Sequence, residues 1–329
     1  MSVSAAIALP GAPITASSAL SRLLDRASAG FTGQASGGFA GQADIGQILV
    51  TLDSGLFQLR QQMDAAAWAD ACRFAQSHQI MHWLRQDPFV ARCIARPRGY
   101  AGDAVIIDML YHHADISHQV IAATPTGRQV HMVMSHVPVA QAVRDRRQVI
   151  VDLIDGTAQR HSQPHVLSIA CGHLREAEMC NALASGRIGR FVALDQDAES
   201  LDVVRRRHGQ QVEIIAEPIS TIVKDRFPTD RYDLIYAAGL YDYLDARLAA
   251  ALTTRLAARL NPGGRFVFAN FSRDLWEAGF MEALLDWKLV LRSEADMQAI
   301  ACAPGPGFSG RVWAGSNGDM LYGEVVRLG

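Results

Sequence analysis

Four short pairs recur at regular intervals through the second half of the chain: Cys171-Gly172, Asp195-Gln196, Glu217-Pro218 and Ala238-Gly239. Each closes an apolar run. Gly172 stands where a backbone must approach something closely. Asp195 follows that glycine by about two dozen residues, the placement from which a carboxylate accepts hydrogen bonds from ribose hydroxyls. The same acid could instead cap the helix that follows it. The pattern suits NAD or any other adenosine ligand. Two features weigh against NAD: one glycine stands where the dinucleotide fingerprint has three, so a pyrophosphate is poorly cradled, and no second mononucleotide half is visible.

The first half contributes a different set. Arg96-Pro-Arg-Gly-Tyr-Ala-Gly-Asp103 is a loop whose Pro97, Gly99 and Gly102 constrain the path of two Arg, a Tyr and an Asp. It reads either as a helix–helix connector with a surface ion pair or as a ligand-facing loop. Arg146 falls on the apolar face of a helical pattern with Val139, Ala142, Val143, Ile150, Leu153 and Ile154. A charge there pairs with a buried carboxylate or clamps a ligand carboxylate, for which a guanidinium fork is suited. Tyr100, Tyr241 and Tyr243 are packing residues or aromatic faces for a cation. The histidines show no metal-ligand spacing, so no metal is expected.

The elements that must position these residues fall into two regimes. Residues 1–44 are rich in Ala, Ser and Gly, with a near-repeat at Gly30–Ala35 and Gly38–Ala43, and read as a flexible head with a short helical patch at Ser18–Ala27. Residues 45–137 follow helical periodicity and predict a helical cap. Asp87-Pro88 opens a helix, and another is expected over Ala104–His112. A long helix from Pro138 to about Asp155 connects to the rest. From residue 160 onward strands alternate with helices: strands over 166–170, 191–195, 212–216, 233–237 and 265–270, and helices over 174–185, 198–208 and 246–260. Such βα repeats demand a parallel sheet covered by helices. The apolar segments Trp287–Leu291 and Leu321–Leu328 are expected as added edge strands, with an antiparallel one last. The fold class is therefore α/β, a Rossmann-like sheet with an N-terminal helical cap.

A chain of 329 residues, 49% hydrophobic, has material for one large or two ordinary domains. A net charge of −2 with interspersed signs gives no footprint for nucleic acid or an anionic membrane. Five cysteines without a C-x-x-C, no run of transmembrane length and no basic leader point to a reduced, cytoplasmic protein. The expected partner is a small molecule; oligomeric state cannot be read.

Leu167-Ser-Ile-Ala-Cys-Gly172, Ala193-Leu-Asp-Gln-Asp197, Tyr232-Asp-Leu-Ile-Tyr236 and Leu260-Asn-Pro-Gly-Gly-Arg265 resemble the successive motifs of class I S-adenosylmethionine-dependent methyltransferases. This resemblance spans about residues 160–329 and makes 138–329 the cofactor-binding domain, with 138–160 as its connecting helix. Asp87-Pro-Phe89, Arg96–Asp103, Ala142–Arg147, Phe271-Ser272, Met281-Glu282 and Asp286-Trp287 resemble a bacterial subgroup associated with making a 3-hydroxypalmitic acid methyl ester signal. Related sequences in secondary-metabolite clusters include azetidine-2-carboxylate synthases, which cyclise S-adenosylmethionine itself. The resemblance implies that Ala170, Cys171 and Gly172 lie against the amino-acid and ribose part of S-adenosylmethionine. Asp195 would take the ribose hydroxyls, with Gln196, Glu217, Pro218 and Ile219 bordering the base. Ala238, Gly239 and Leu240 would meet the methionyl end. Tyr100, Asp103, Arg146 and Tyr241 are the expected catalytic residues, either orienting an acceptor for the methyl group or folding the methionyl chain for attack by its own amine. The sequence departs from the family's Gly-x-Gly at His173 and Leu174.

Overall fold

A computed structural model describes residues 16–35, 44–227 and 230–329. The second copy of the near-repeat, Gly38–Ala43, lies outside them.

Among the described residues nine α-helices precede the first strand: α1 Ala16–Ala35, α2 Ile45–Gln62, α3 Ala65–Ser77, α4 Ile80–Leu84, α5 Pro88–Ala95, α6 Ala104–Leu110, α7 Ser117–Ile121, α8 Pro125–Met134 and α9 Pro138–Arg160. Their starts are written in side-chain chemistry. Asp64, Asp87, Asp103 and Thr124 each accept a hydrogen bond from the first turn of the helix they cap, and Pro opens α5, α8 and α9. α1 contains the helical patch expected at Ser18–Ala27 and extends it to Ala16–Ala35. Leu20, Leu24, Ala27 and Phe31 recur at helical spacing and are buried. Glycines on both helices allow close approach of α1 and α2: a Cβ on Gly30 would meet Ile48 at 2.7 Å, and one on Gly55 would meet Leu23 at 2.5 Å. Phe31 stacks on Trp83.

The remainder alternates: β1 His165–Ile169, α10 Asn181–Ala184, β2 Arg190–Asp195, α11 Ala198–His208, β3 Glu213–Ala216, α12 Ser220–Val223, β4 Tyr232–Ala237, α13 Ala246–Ala257, β5 Leu260–Phe271, α14 Ala278–Leu284, α15 Glu294–Ala301, β6 Phe308–Ala314 and β7 Met320–Arg327. The sheet order is β3-β2-β1-β4-β5-β7-β6. β1 to β5 pair in parallel, and β7 pairs antiparallel to both β5 and β6. The order turns outward in both directions from β1 and β4, and ligands of open α/β sheets sit beyond the strand ends at such a switch point. Two apolar clusters fill the two faces of the sheet, and a third joins the N-terminal helices to α14, the end of β5 and Tyr322 of β7.

Three expected elements differ. The helix over 174–185 is reduced to a 3-10 turn, Ala177–Met179, and the single turn α10. Residues 170–176 are spent in a tight turn instead, and Asp155 accepts the backbone N–H groups of Asn181 and Ala182 that open α10. Trp287–Leu291 is not a strand. The backbone of Val290 bonds to the carbonyl of Asp242 and to the side chain of Asn270, leaving one bridge, Ser272 to Arg292. The apolar segment near 321–328 lies inside the sheet as β7. The edge strand is β6, whose half-exposed residues give little hydrophobic signal.

Candidate functional site

A cavity of about 380 Å³ lies beyond the C-terminal ends of β1, β2 and β4, roofed by the 96–103 loop with α6 and α9. Its floor is the turn after β1. Ala170, Gly172 and Leu174 all adopt left-handed backbone (φ 52°, 54° and 53°), a zigzag that only glycine takes freely. Asp195 ties the turn down. Its Oδ2 accepts the Gly172 N–H at 2.8 Å and its Oδ1 accepts the Asp197 N–H at 2.9 Å. Burial pushes the Asp195 carboxyl up, and these backbone donors oppose it. Asp197, not Asp195, caps α11 by accepting the Glu199 N–H, so Asp195 is free to face the cavity. The Cys171 thiol is pushed well up by burial, and it stays protonated.

Gln196, Glu217, Ile219, Ala238, Gly239 and Leu240 also line the cavity. Pro218 does not; its carbonyl is turned to Thr221. Opposite Gly239 stands Arg146, only 4% exposed, with its guanidinium nitrogens 3.7 and 3.8 Å from where a Cβ at 239 would sit. The guanidinium charge lies close enough to the buried Tyr111 hydroxyl to oppose the upward push of burial on it. Its Nε has no partner, and among the described residues it makes no ion pair. Of the two readings open for Arg146, pairing with a buried carboxylate is therefore not realised.

Two expected catalytic residues lie elsewhere. Asp103 is buried under the roof, accepting the N–H groups of Val105 and Ile106 and pairing with Arg92 at 2.8 Å. It holds the loop and does not reach the cavity. Tyr241 points into the sheet core, its hydroxyl 2.8 Å from Thr253 and its ring stacked on Phe268. The turn Tyr241–Tyr243 winds so that Asp242 and Tyr243 take the cavity side.

Tyr100 lines the cavity edge-on to Tyr243, and burial holds its hydroxyl up at about 12. The Tyr243 hydroxyl donates to the Ala101 carbonyl at 3.0 Å and accepts the Trp287 indole N–H at 2.9 Å. Gly102 fits beneath because a Cβ there would strike Trp287 at 2.1 Å. Arg98 fastens the loop to α11 through Asp197 at 2.8 Å and Ser200 at 2.9 Å. The 96–103 loop is thus both a structural connector and a wall of the cavity.

Several lining residues carried no readable signal. Glu176 sits in a charged run that suggests a solvated helix, yet it is buried, accepts the Tyr236 hydroxyl at 2.8 Å, and has its carboxyl raised by burial. Asp242 is 2% exposed, accepts the Phe271 N–H at 2.7 Å, and is pushed by burial up to about 6. His173 and Arg175, on either side of Leu174, both bind Asp108 of α6. Burial works against the Asp108 charge, but these two donors outweigh it and hold the carboxyl below its ordinary range. This cluster locks the turn to the helical cap. The resulting chamber offers a carboxylate at the β2 end, a buried guanidinium with an unused N–H, and aromatic side chains that include Tyr100, Tyr243 and Trp287. That set is matched to a ligand carrying vicinal hydroxyls, a carboxylate and a cation without N–H donors.

Residues 166–264 match a family model described as a methyltransferase domain. No curated protein matches the chain significantly. Among solved structures, a possible exported protein from Bordetella parapertussis is similar over 97% of this chain and 100% of its own, at 18% identity and a TM-score of 0.52. Magnesium protoporphyrin IX methyltransferase (ChlM) from Synechocystis PCC 6803 with bound SAH is similar over 68% of this chain and 99% of its own, at 13% identity and a TM-score of 0.44. The N-methyltransferase NodS from Bradyrhizobium japonicum WM9 is similar over 56% and 97%, at 16% identity and a TM-score of 0.41. The matched span and the sheet together give the chain the Rossmann-like class I methyltransferase fold, preceded by a helical region. Among the described residues no helix is long and apolar enough to cross a membrane.

Proposed function

We propose that the chain is an S-adenosylmethionine-dependent methyltransferase acting on a small molecule in secondary-metabolite or signal biosynthesis. The observation that carries this reading is the pairing, in one cavity, of Asp195 at the β2 end with the unpaired Arg146 across from it. Asp195 would accept the ribose hydroxyls, and Arg146 would take the methionyl carboxylate. Tyr100, Tyr243 and Trp287 would surround the sulfonium, each aromatic face contributing about 0.5–2 kcal/mol. Bound there, S-adenosylmethionine supplies an electrophilic methyl group on a sulfur that departs as a neutral thioether. The protein's own part is to exclude water, hold the acceptor in line, and receive any proton the acceptor releases. Asp242, buried and poised near 6, is the group placed to receive it. The helices of residues 45–137, as a cap, would carry the acceptor.

Intramolecular cyclisation to azetidine-2-carboxylate needs no acceptor site, whereas a second, apolar chamber adjoins the first. The deciding experiment incubates purified protein with S-adenosylmethionine alone and reads products by mass spectrometry. Tight binding without turnover, followed by S-adenosylhomocysteine formation when acceptors are supplied, is expected. Enzyme-dependent methylthioadenosine with a four-membered-ring amino acid would overturn methyl transfer.

A further inference from the structure

A second cavity of about 60 Å³ lies among the N-terminal helices, α14 and the end of β5. It shares Val143, Phe271 and Trp287 with the larger cavity, so the two are separated by one layer of side chains. Apart from Asp53 and Glu277 its charged lining is nil: Val50, Phe89, Met134 and Phe280 are typical of its walls. Neither acid belongs to the shared wall.

These two acids are under-satisfied. Glu277 is 4% exposed; its Oε1 accepts the Val139 N–H at 3.3 Å, and its Oε2 has no partner. Asp53 Oδ1 likewise has no partner. Burial, then the charge of Glu277, pushes the Asp53 carboxyl up to about 7. Among the described residues no Lys or Arg lines the cavity to neutralise the pair. Acids so placed, Glu277 buried and Asp53 half-buried, are left either to hold protons or to receive a cationic donor.

We propose that this chamber is the acceptor's anchoring site, and that it takes a molecule with a short aliphatic body ending in an amino group held by Glu277 and Asp53. The role as acceptor site rests on the methyltransferase reading; the ligand class rests on the chamber itself. The apolar walls remove the aliphatic body from water. The unpartnered oxygens accept from the ammonium, whose charge compensates theirs. The opposite end of the molecule then lies at the shared wall of Val143, Phe271 and Trp287, beside the larger cavity.

The test uses the full chain and three probes of matched length: n-hexylamine, n-hexanol and n-hexanoate. Binding is measured by calorimetry, with S-adenosylhomocysteine binding measured separately on the same samples. Hexylamine is expected to bind at least tenfold more tightly than hexanoate, with hexanol between them. Asp53→Asn and Glu277→Gln should each reduce the amine preference at least tenfold and leave S-adenosylhomocysteine affinity unchanged. Asp53→Asn carries the test should Glu277→Gln, whose native carboxylate also accepts the Val139 N–H of α9, lower the melting temperature. Equal or tighter binding of hexanoate, no binding of the amine, or an undiminished preference in Asp53→Asn would overturn the proposal. Carboxylate-dependent amine binding in a protein that fails to bind S-adenosylhomocysteine would leave the ligand class standing and refute the methyltransferase reading alone.

Discussion

Replacing Asp195 with Asn isolates the cofactor contact from the fold. The substitution keeps size and one carbonyl oxygen but turns the other oxygen into an N–H donor. In the native turn both oxygens accept backbone N–H groups, from Gly172 and Asp197. The amide can serve only one of them, and two charge-assisted acceptors for ribose hydroxyls disappear. Each such bond contributes about 1.5–3 kcal/mol, so the loss is about 3–6 kcal/mol in binding. At about 1.4 kcal/mol per decade, affinity should fall roughly 10²- to 10⁴-fold. Isothermal calorimetry with S-adenosylhomocysteine, which is not turned over, measures this directly. Circular dichroism and the melting temperature check that the fold persists; loss of one backbone acceptor should cost about 1–3 kcal/mol of stability. Asp195→Ala removes both acceptors and should abolish measurable binding. An Asn variant that is folded and binds within threefold of the native chain would refute the assignment of this cavity to an adenosine ligand.

Arg146→Ala should weaken binding of S-adenosylmethionine about 10- to 100-fold, from a lost charge-assisted bond of about 1.5–3 kcal/mol. A decarboxylated analogue should be nearly unaffected; calorimetry showing equal losses for the two ligands would return Arg146 to a structural role. Asp53 makes stability depend on pH. Its carboxyl is held near 7 in the fold against an ordinary value of 3.8, so the unfolded chain releases the proton first. Its favourable contribution is complete below about pH 4 and is lost as pH rises through 7. About three pH units at 1.36 kcal/mol each give up to ~4 kcal/mol. Thermal melts of Asp53→Asn should therefore vary less between pH 4 and 8 and exceed the native chain at pH 8; parallel pH profiles would contradict this. Leu24→Ala, at a fully buried position of α1, should cost about 2–5 kcal/mol. An unchanged denaturant midpoint would mean that α1 does not dock.

The parallel strands were legible because a strand covered on both faces is a continuous apolar run, as in Phe191–Leu194 and Leu234–Ala237. Helix α11 was legible to the residue because Asp197 caps it and Gly209 ends it. What composition understated was the length of α1, which runs beyond the patch at Ser18–Ala27. Gly and Ser counted as disorder, whereas their small size brings α1 against α2. The 174–185 helix failed for the opposite reason: its periodicity is sound locally, but Arg175 and Glu176 are drawn inward by Asp108 and Tyr236. Tertiary partners 60 or more positions away have no local signature.

The site divides in the same way. Gly172, Asp195 and Gly239 could be placed because topology alone brings strand ends together. The acids that matter beyond them could not, because what distinguishes them, among the described residues, is that no cation pairs with them. Asp108 is held low by His173 and Arg175 and serves the scaffold. Asp103 is likewise spent on Arg92 and the start of α6. Asp242, Glu176 and Asp53, by contrast, are pushed up by burial and face the two cavities. In a one-dimensional reading all five look alike, as charged residues in turns or helices. Neighbouring acids whose environments drive their protonation in opposite directions divide into those that build a site and those that meet its ligand. Tyr241 and Asp242 show how fine the division is. A turn wound by one more residue would exchange them, sending the acid into the sheet core and the phenol into the cavity.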